Sequence, residues 1–415
     1  MSYTNNEPAH KIRKVAGGLN FTEAKKRLSQ ILKPTKLIFS SVFSQENGME
    51  VYIKPENLQI TGAFKIRGAY NKISKLSLEE RNRGLICSSA GNHAQGVAFA
   101  AQKLGIEATI VMPKTTPLIK IEATKNLGAK VVLAGDCYDE SYEEACKLQK
   151  EHGYVFVHAF NDLDVIEGQG TIGLEILEEL QDVDCIIVPV GGGGLISGIA
   201  MAVKSLNPNV KIVGVEPEGA NAMEKSLKYN KLFNLKNVST IAEGVAVKKP
   251  GEITFSIIKD YVDDIVTVTD FEIMEAFLLL LERHKMIGES AGVLSLAGLK
   301  KINIKENKKT VCLVSGGNID VLTISSMINQ GLYTRGRILC FSVDLPDKPG
   351  ELMKVSKILA DLNANVIKLD HNQLKALNRL TEVQLEVTVE TNNHKHIELI
   401  ISELQNAGYK IKKVF

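Results

Sequence analysis

Between Glu50 and Gly331 short apolar runs alternate with amphipathic helical patterns, and that rhythm leaves few architectures open. Strand-like runs are expected at Gly84–Ser88, Ala108–Met112, Lys130–Leu133, Tyr154–Val157, Cys185–Val190, Lys211–Val215 and Thr310–Val314. Helical stretches separate them, among them Ala94–Leu104, Leu118–Leu127 and Tyr138–His152. Strands that alternate with helices close as parallel pairs with a helix across each crossover. The order therefore predicts an α/β fold of mostly parallel sheets covered by helices. Ligands in such folds gather at the carboxyl ends of strands. Three polar, glycine-bearing segments fall there: Ser88–Gly96, Gly191–Gly194 and Ser315-Gly316-Gly317-Asn318.

A lone lysine is ordinarily a solvated surface group. Lys65 stands apart, because Thr61-Gly62-Ala63-Phe64-Lys65-Ile66-Arg67-Gly68-Ala69 surrounds it with small residues that let a flat ligand lie against the backbone. The run Gly191-Gly192-Gly193-Gly194 ends one strand and opens a helix near Leu195, so its N–H groups and the helix dipole point at an anion. Alone, that run also suits a close turn in any doubly wound domain, or a dinucleotide loop with Glu216 as a ribose-binding acid about 20 residues on. The run does not fit G-x-G-x-x-G, since the sixth position is Ile196, Ser197 or another non-glycine, and an NAD enzyme is the lesser reading. The Ser88–Gly96 loop also lies between a strand and a helix, where its N–H groups suit a carboxylate. A nucleophilic amine, a polar glycine loop and a phosphate cradle together describe a pyridoxal phosphate (PLP) site. An ammonium would be useless in it, so the site must lower the amine's pKa by desolvation or a nearby cation.

From about Thr22 to Gly331 these segments resemble the fold-type II PLP enzymes, and among them the threonine dehydratases (threonine ammonia-lyases). The family's usual Thr-Pro-Leu before the first strand reads Thr35-Lys36-Leu37 here. The resemblance implies a tryptophan synthase β-like catalytic unit over residues 1–332, with a small subdomain at about 55–154 inserted in the large one and PLP in the cleft. It implies Lys65 as the Schiff-base lysine and Cα base, with Gly191, Gly192, Gly193, Gly194 and Leu195 at the phosphate. Phe64 and Gly244 would flank the cofactor, and Asn92 would bond its ring hydroxyl. Ser89, Ala90, Gly91, Asn92 and His93 would line the substrate carboxylate pocket. Ser315 would sit by the pyridine nitrogen, a neutral partner that favours prompt loss of the β-hydroxyl. Simpler readings stand beside several of these: Phe64 as core, His93 as a satisfied helix-start histidine, Ser315–Asn318 as a turn. Glu289, in Glu289-Ser290-Ala291-Gly292, reads equally as a surface or cap acid and as part of the site. Glu216 with Ala220 resembles part of a relative's cation site, but Ala222 stands where the second acid would be, and no metal is assigned.

The implied reaction is conversion of L-threonine to 2-oxobutanoate and ammonia, with side activity on L-serine giving pyruvate. The alternatives are a serine racemase or serine dehydratase of the same family, and a non-catalytic amino-acid sensor. A racemase needs a second proton donor, which its family supplies as a serine just before the loop glycine; Ala90 is there instead.

After Arg335-Gly336 the rhythm changes. Strand Ile338–Leu345, with Leu339, Phe341, Val343 and Leu345 on one face, is followed by helix Glu351–Leu362 and strands near Asn365–Leu369 and Glu382–Val389. Helix His394–Asn406 and strand Tyr409–Val414 complete the βαββαβ order of a ferredoxin-like unit. Residues 333–336 read as a linker, and 337–415 resemble an ACT regulatory domain. The turn Asp347-Lys348-Pro349-Gly350 opens a helix, so Asp347, Gly350 and Asn365 are the expected contacts of a small amino-acid effector. By the resemblance isoleucine or valine is the first candidate, tying the chain to isoleucine biosynthesis, and pairing across the sheet edge implies a homo-oligomer, dimer or tetramer.

A chain of 415 residues suggests two or three domains. Its 50 basic and 48 acidic residues nearly cancel, which argues against nucleic acid or an anionic membrane as partner. Six scattered cysteines without a C-x-x-C pair read as reduced, which suits the cytoplasm. Met1–Lys14 lacks the apolar stretch of a signal peptide. The uncharged stretch Cys185–Val203 is interrupted by Pro189 and four glycines, and reads as strand, loop and helix rather than a membrane span. Lys300–Lys309 reads as a solvated loop.

Overall fold

The computed structural model describes residues 18–303, 308–372 and 382–414. The expectation for Met1–Lys14, and part of that for Lys300–Lys309, lie outside them. Contacts gather the chain into two compact units, one up to Ile319 and one from Asp320 onward.

The strands of the first unit are β1 (Ile38–Phe39), β2 (Glu50–Pro55), β3 (Leu85–Ser88), β4 (Ala108–Met112), β5 (Lys130–Leu133), β6 (Val155–Phe156), β7 (Cys185–Pro189), β8 (Lys211–Pro217), β9 (Asp264–Val268) and β10 (Lys309–Val314). They build a six-stranded sheet in the order β1-β2-β10-β7-β8-β9 and a four-stranded sheet in the order β5-β4-β3-β6. Every pairing is parallel except β1 with β2. Strands β3, β4 and β7 are buried at every residue, as continuous apolar strands covered on both faces must be. Strands β4 and β5 keep the expected bounds, and the other anticipated runs shift at their ends by one or two residues. Strands β1, β2 and β9 were not anticipated. In β2 the charged Lys54 disguises a buried strand, for its ammonium lies inside, 2.7 Å from Glu175.

The helix Leu163–Glu179 holds this unit together and also escaped the sequence reading. Three glycines punctuate it, yet every residue from Val165 to Ile176 is buried. A Cβ on Gly168 would lie 2.5 Å from the Arg67 carbonyl oxygen, and one on Gly170 2.6 Å from that of Gly198. The glycines thus let three helices meet backbone to backbone: this one, Lys65–Ser74 and Gly194–Leu206.

Where these helices face β2, four charges are buried together. Arg67 donates through Nε (2.7 Å) and Nη2 (2.8 Å) to Glu56, and through Nη1 (2.6 Å) to Glu175. Lys54 donates to the other Glu175 oxygen and to the Thr35 carbonyl, while the Thr35 hydroxyl donates to Glu56 at 2.6 Å. Two cations thus meet two carboxylates, each held by at least two hydrogen bonds, the kind of pairing under which charge tolerates burial. The threonine of Thr35-Lys36-Leu37 is therefore a structural partner.

In the second unit β11 (Ile338–Pro346), β12 (Asn365–Asn372), β13 (Glu382–Glu390) and β14 (Ile411–Lys413) form an antiparallel sheet in the order β12-β13-β11-β14. With helices Glu351–Asp361 and His394–Asn406 this is the ferredoxin-like arrangement. Leu339, Phe341, Val343 and Leu345 are buried against Val355, Leu359, Ile397 and Leu404. The helix Val321–Thr334 also belongs to this unit. Within residues 333–336, read as a linker, the backbone is hydrogen-bonded: Thr391 donates to Gly336 O (2.7 Å), His394 pairs with Thr334 O (2.9 Å), and just beyond it Arg337 N donates to Leu332 O.

Candidate active site

Lys65 is the first residue of the Lys65–Ser74 helix and is partly accessible. Its Nζ donates to the carbonyl of Ala159 at 3.0 Å. Burial lowers the amine from its ordinary 10.5 to about 8, against an opposing pull from Glu289. At pH 7.5 about a quarter of such an amine is unprotonated, against about 0.1 % of an ordinary lysine.

Two imidazoles share its surroundings, and both are held neutral. His93 is lowered to about 3 and His158 to about 4, chiefly by burial, with the Lys65 charge adding to each. The Nδ1 of His158 accepts from the N–H groups of Phe160 (3.2 Å) and Asn161 (2.9 Å), so its hydrogen is at Nε2. His93 Nε2 pairs with the carbonyl of Val157 at 2.8 Å and must be the donor. Its Nδ1 is left buried without a partner.

The glycine run reaches Lys65 through Phe160, the neighbour of Ala159. A Cβ on Gly192 would fall 2.3 Å from the Phe160 ring, and one on Gly194 2.9 Å from Phe160 Cα. Gly193 has φ +91°, which only glycine adopts without strain, and Gly194 opens the helix Gly194–Leu206. Thr254 Oγ1 fixes the loop by donating to Gly192 O at 2.6 Å. Leu195 is buried in the adjoining core. A Cβ on Gly244 would lie 3.0 Å from Ala291 Cβ and 3.6 Å from Glu289 Oε1.

The second motif runs from the end of β3 into the helix Asn92–Leu104. Ser89, Ala90, Gly91 and Asn92 are partly accessible, and His93 is buried. Ser89 Oγ accepts from Gly91 N at 3.2 Å, and a Cβ on Gly91 would meet nothing within 4 Å, so the loop is open there. Asn92 Nδ2 donates to Glu289 Oε1 at 2.7 Å, and Asn92 Oδ1 accepts from Asn318 Nδ2 at 2.8 Å. The third motif joins the backbone before Lys65 directly. Ser315, buried just after β10, accepts at its carbonyl from Phe64 N at 3.0 Å, and Ala63 bridges Gly316. Phe64 lies partly in the core, with Lys65 Nζ 5.1 Å from its ring centre.

The three motifs are thus linked through Lys65, Phe160, Asn92 and Glu289. Of these neighbours the sequence reading omitted His158, Ala159, Phe160 and the role of Asn318. The signal available for the first three was their place after β6, at the same carboxyl-end level as the motifs. Glu216 is elsewhere occupied: fully buried and pushed up to about 8 by burial, it accepts from Met223 N and Glu224 N. Among the described residues no three His, Cys, Asp or Glu side chains group as metal ligands. In the second unit Gly350, at φ +93°, precedes the helix Glu351–Asp361, Asp347 lies in the turn before it, and Asn365 begins β12, exposed.

An amine with a depressed pKa, a neighbouring run of glycines at a helix start and an open loop face are what a flat aldehyde bearing a phosphate requires, and the residues present fit PLP.

Residues 28–316 match the family described as pyridoxal-phosphate dependent enzyme. An L-threonine ammonia-lyase of Thermotoga maritima is 49 % identical over 393 residues, which is 94 % of this chain and 98 % of that protein. Among solved structures, the processed form of threonine deaminase isoform 2 from Solanum lycopersicum matches with TM-score 0.71 and 38 % identity, over 79 % of this chain and 89 % of that one. Maize serine racemase matches with TM-score 0.71 and 35 % identity, over 76 % of this chain and 98 % of that one.

Proposed function

The chain belongs to the pyridoxal-phosphate dependent enzyme family, and from that premise we propose that it eliminates water from L-threonine to give 2-oxobutanoate and ammonia, with L-serine as a second substrate giving pyruvate. PLP is its cofactor. The observation that carries the reading is the Lys65 amine, depressed to about 8 and joined through Ala159 and Phe160 to the glycine run.

Lys65 would hold the cofactor aldehyde, with Gly191, Gly192, Gly193, Gly194 and Leu195 around the phosphate. Phe64 and Gly244 would flank the ring, Asn92 would face its hydroxyl and Ser315 its nitrogen. Bound there, the cofactor supplies the conjugated ring that spreads the negative charge left at the substrate Cα. Ser89, Ala90, Gly91, Asn92 and His93 receive the substrate carboxylate, largely through N–H groups at the start of a helix. Lys65, freed as an amine, takes the Cα proton at Nζ. The β-hydroxyl departs as water, and the released unsaturated amine hydrolyses to keto acid and ammonia. His93 and His158, held neutral, place no second positive charge beside Nζ.

Ala90 carries no hydroxyl to return a proton on the opposite face, which supports elimination over racemisation. For the second unit we propose an ACT-type regulatory role, with Asp347, Gly350 and Asn365 contacting a small amino acid such as isoleucine, in a homo-oligomer. The ferredoxin-like strand order supports that reading. Six cysteines, all free, support a cytoplasmic setting, and no helix among the described residues is long and apolar enough to cross a membrane.

Purified protein loaded with PLP should release 2-oxobutanoate from L-threonine, and from L-serine should form pyruvate well ahead of D-serine on chiral chromatography. D-serine formed as fast as pyruvate would favour the racemase. Bound PLP without turnover of either substrate would leave only a sensor.

A further inference from the structure

Asn92 sits in a chain of amides that crosses the whole site. Its Nδ2 donates to Glu289 Oε1 at 2.7 Å, and its Oδ1 accepts from Asn318 Nδ2 at 2.8 Å. Asn318 spends its other hydrogen on the carbonyl of Thr61 at 2.8 Å, four residues before Lys65, with Gln95 a distant third acceptor at 3.5 Å. Glu289 is itself anchored, its backbone N–H donating to Gly316 O at 2.9 Å. Burial pushes the Glu289 carboxyl up to about 7, so above that pH it is a carboxylate, whose oxygens cannot donate; at the other end an amide NH2 that is donating to Thr61 O and Asn92 Oδ1 cannot accept. Flipping the Asn92 amide would set its oxygen against Glu289 and its NH2 against the NH2 of Asn318. The arrangement therefore permits one orientation, in which the amide has one N–H left over and its carbonyl is engaged.

We propose that Glu289 and Asn318 are positioning residues that lock the Asn92 amide so that it offers a hydrogen-bond donor, and never its carbonyl, to the cofactor's ring oxygen. A donor stabilises that oxygen as an anion, whereas a carbonyl would repel it. Glu289 supplies the acceptor at one end of the lock and Asn318 the donor at the other. The inference rests on PLP being the cofactor and on Asn92 facing its ring oxygen.

Substitution at Asn318 separates positioning from mere packing. Both Asn318→Asp and Asn318→Ala lose the Thr61 bond, but only Asn318→Asp places an acceptor against Asn92 Oδ1, so that Glu289 and the introduced carboxylate both call for the NH2 and the amide is no longer held in one orientation. PLP affinity of the apo-protein, followed by fluorescence at pH 8.5, should fall about tenfold for Asn318→Asp and only about two- to threefold for Asn318→Ala. The visible band of bound PLP should shift in the Asp variant alone. In an Asn92→Ala background the difference between Asp and Ala should vanish. Equal losses in the two variants, or a difference that persists without Asn92, would overturn the proposal. Should Asn318→Asp not fold, Glu289→Gln, which keeps an acceptor, must weaken PLP binding less than Glu289→Met; the reverse order overturns it equally. Failure of the wild-type protein to bind PLP would instead sink the cofactor assignment.

Discussion

Two cations two residues apart on one helix, Lys65 and Arg67, have opposite fates. Arg67 is fully enclosed, and burial alone would lower its pKa, yet Glu56 and Glu175 reverse the sign and raise it above its ordinary value. Lys65 has a carbonyl as its hydrogen-bond partner and a more remote Glu289, so desolvation wins and the amine is poised to lose its proton. The difference lies in which charges surround each group and not in depth, since Arg67 is the more deeply buried. A cation saturated with carboxylates braces the fold, and one left short of counter-charge becomes a base. Helix Lys65–Ser74 thus joins a rigid anchor to a reactive group.

The comparison breaks first at Lys65. Lys65→Ala should lower 2-oxobutanoate formation at least about 10⁴-fold, about 5.4 kcal/mol of barrier, while leaving the urea unfolding midpoint of the apo-protein as high or higher. Retained turnover would remove Lys65 from the chemistry. Arg67→Met is expected to do the reverse, lowering unfolding free energy by about 3–5 kcal/mol, because Glu175 keeps only Lys54 as a cation and Glu56 is left with the neutral Thr35 hydroxyl. A loss under about 1 kcal/mol would mean the anchor is dispensable.

The contrast sharpens with pH. Capture of PLP by the apo-protein needs the neutral amine, so its rate, followed by stopped-flow absorbance, should fall about tenfold per unit below about pH 8. A rate that starts to fall only below pH 10 on descending would place Lys65 among ordinary lysines. The linked stability runs the same way. With the folded pKa near 8 and the unfolded one near 10.5, Lys65 holds more of its proton in the unfolded chain between those values, so the stability of the apo-protein relative to Lys65→Ala rises with pH across that window. The smallest effect is expected at Ala90. Ala90→Ser should introduce D-serine formation from L-serine at a few per cent of the pyruvate rate, and none after long incubation would show that a hydroxyl at that position cannot reach the opposite face.

Legibility in the sequence followed the same division. Lys65, the glycine run and the asparagine loop stood out because small and polar residues cluster around each of them, and that pattern is local. The parallel sheets were legible for the same reason, since β4 and β7 are uninterrupted apolar runs. The anchor was not. Lys54, Glu56, Arg67 and Glu175 look like surface charges until distant segments bring them together, and Lys54 hid β2. Gly168-Gln169-Gly170-Thr171-Ile172-Gly173 even has the spacing of a dinucleotide loop, yet it lies inside a helix whose glycines admit neighbouring backbones. His158 and Phe160 carry no motif, and only the fold brings them to Lys65. In the second unit, alternation along β11 and β13 announced the sheet, but nothing local signalled that Val321–Thr334 would join it.

The central claim is that Lys65, and no other lysine, is the amine that holds the cofactor. Reducing the PLP-loaded protein with borohydride, digesting it and locating the cofactor's added mass by mass spectrometry tests this directly. The account predicts one modified peptide with the mass on Lys65, in an amount matching the turnover lost. Cofactor mass on a different lysine, or full loss of turnover with Lys65 unmodified, would contradict it.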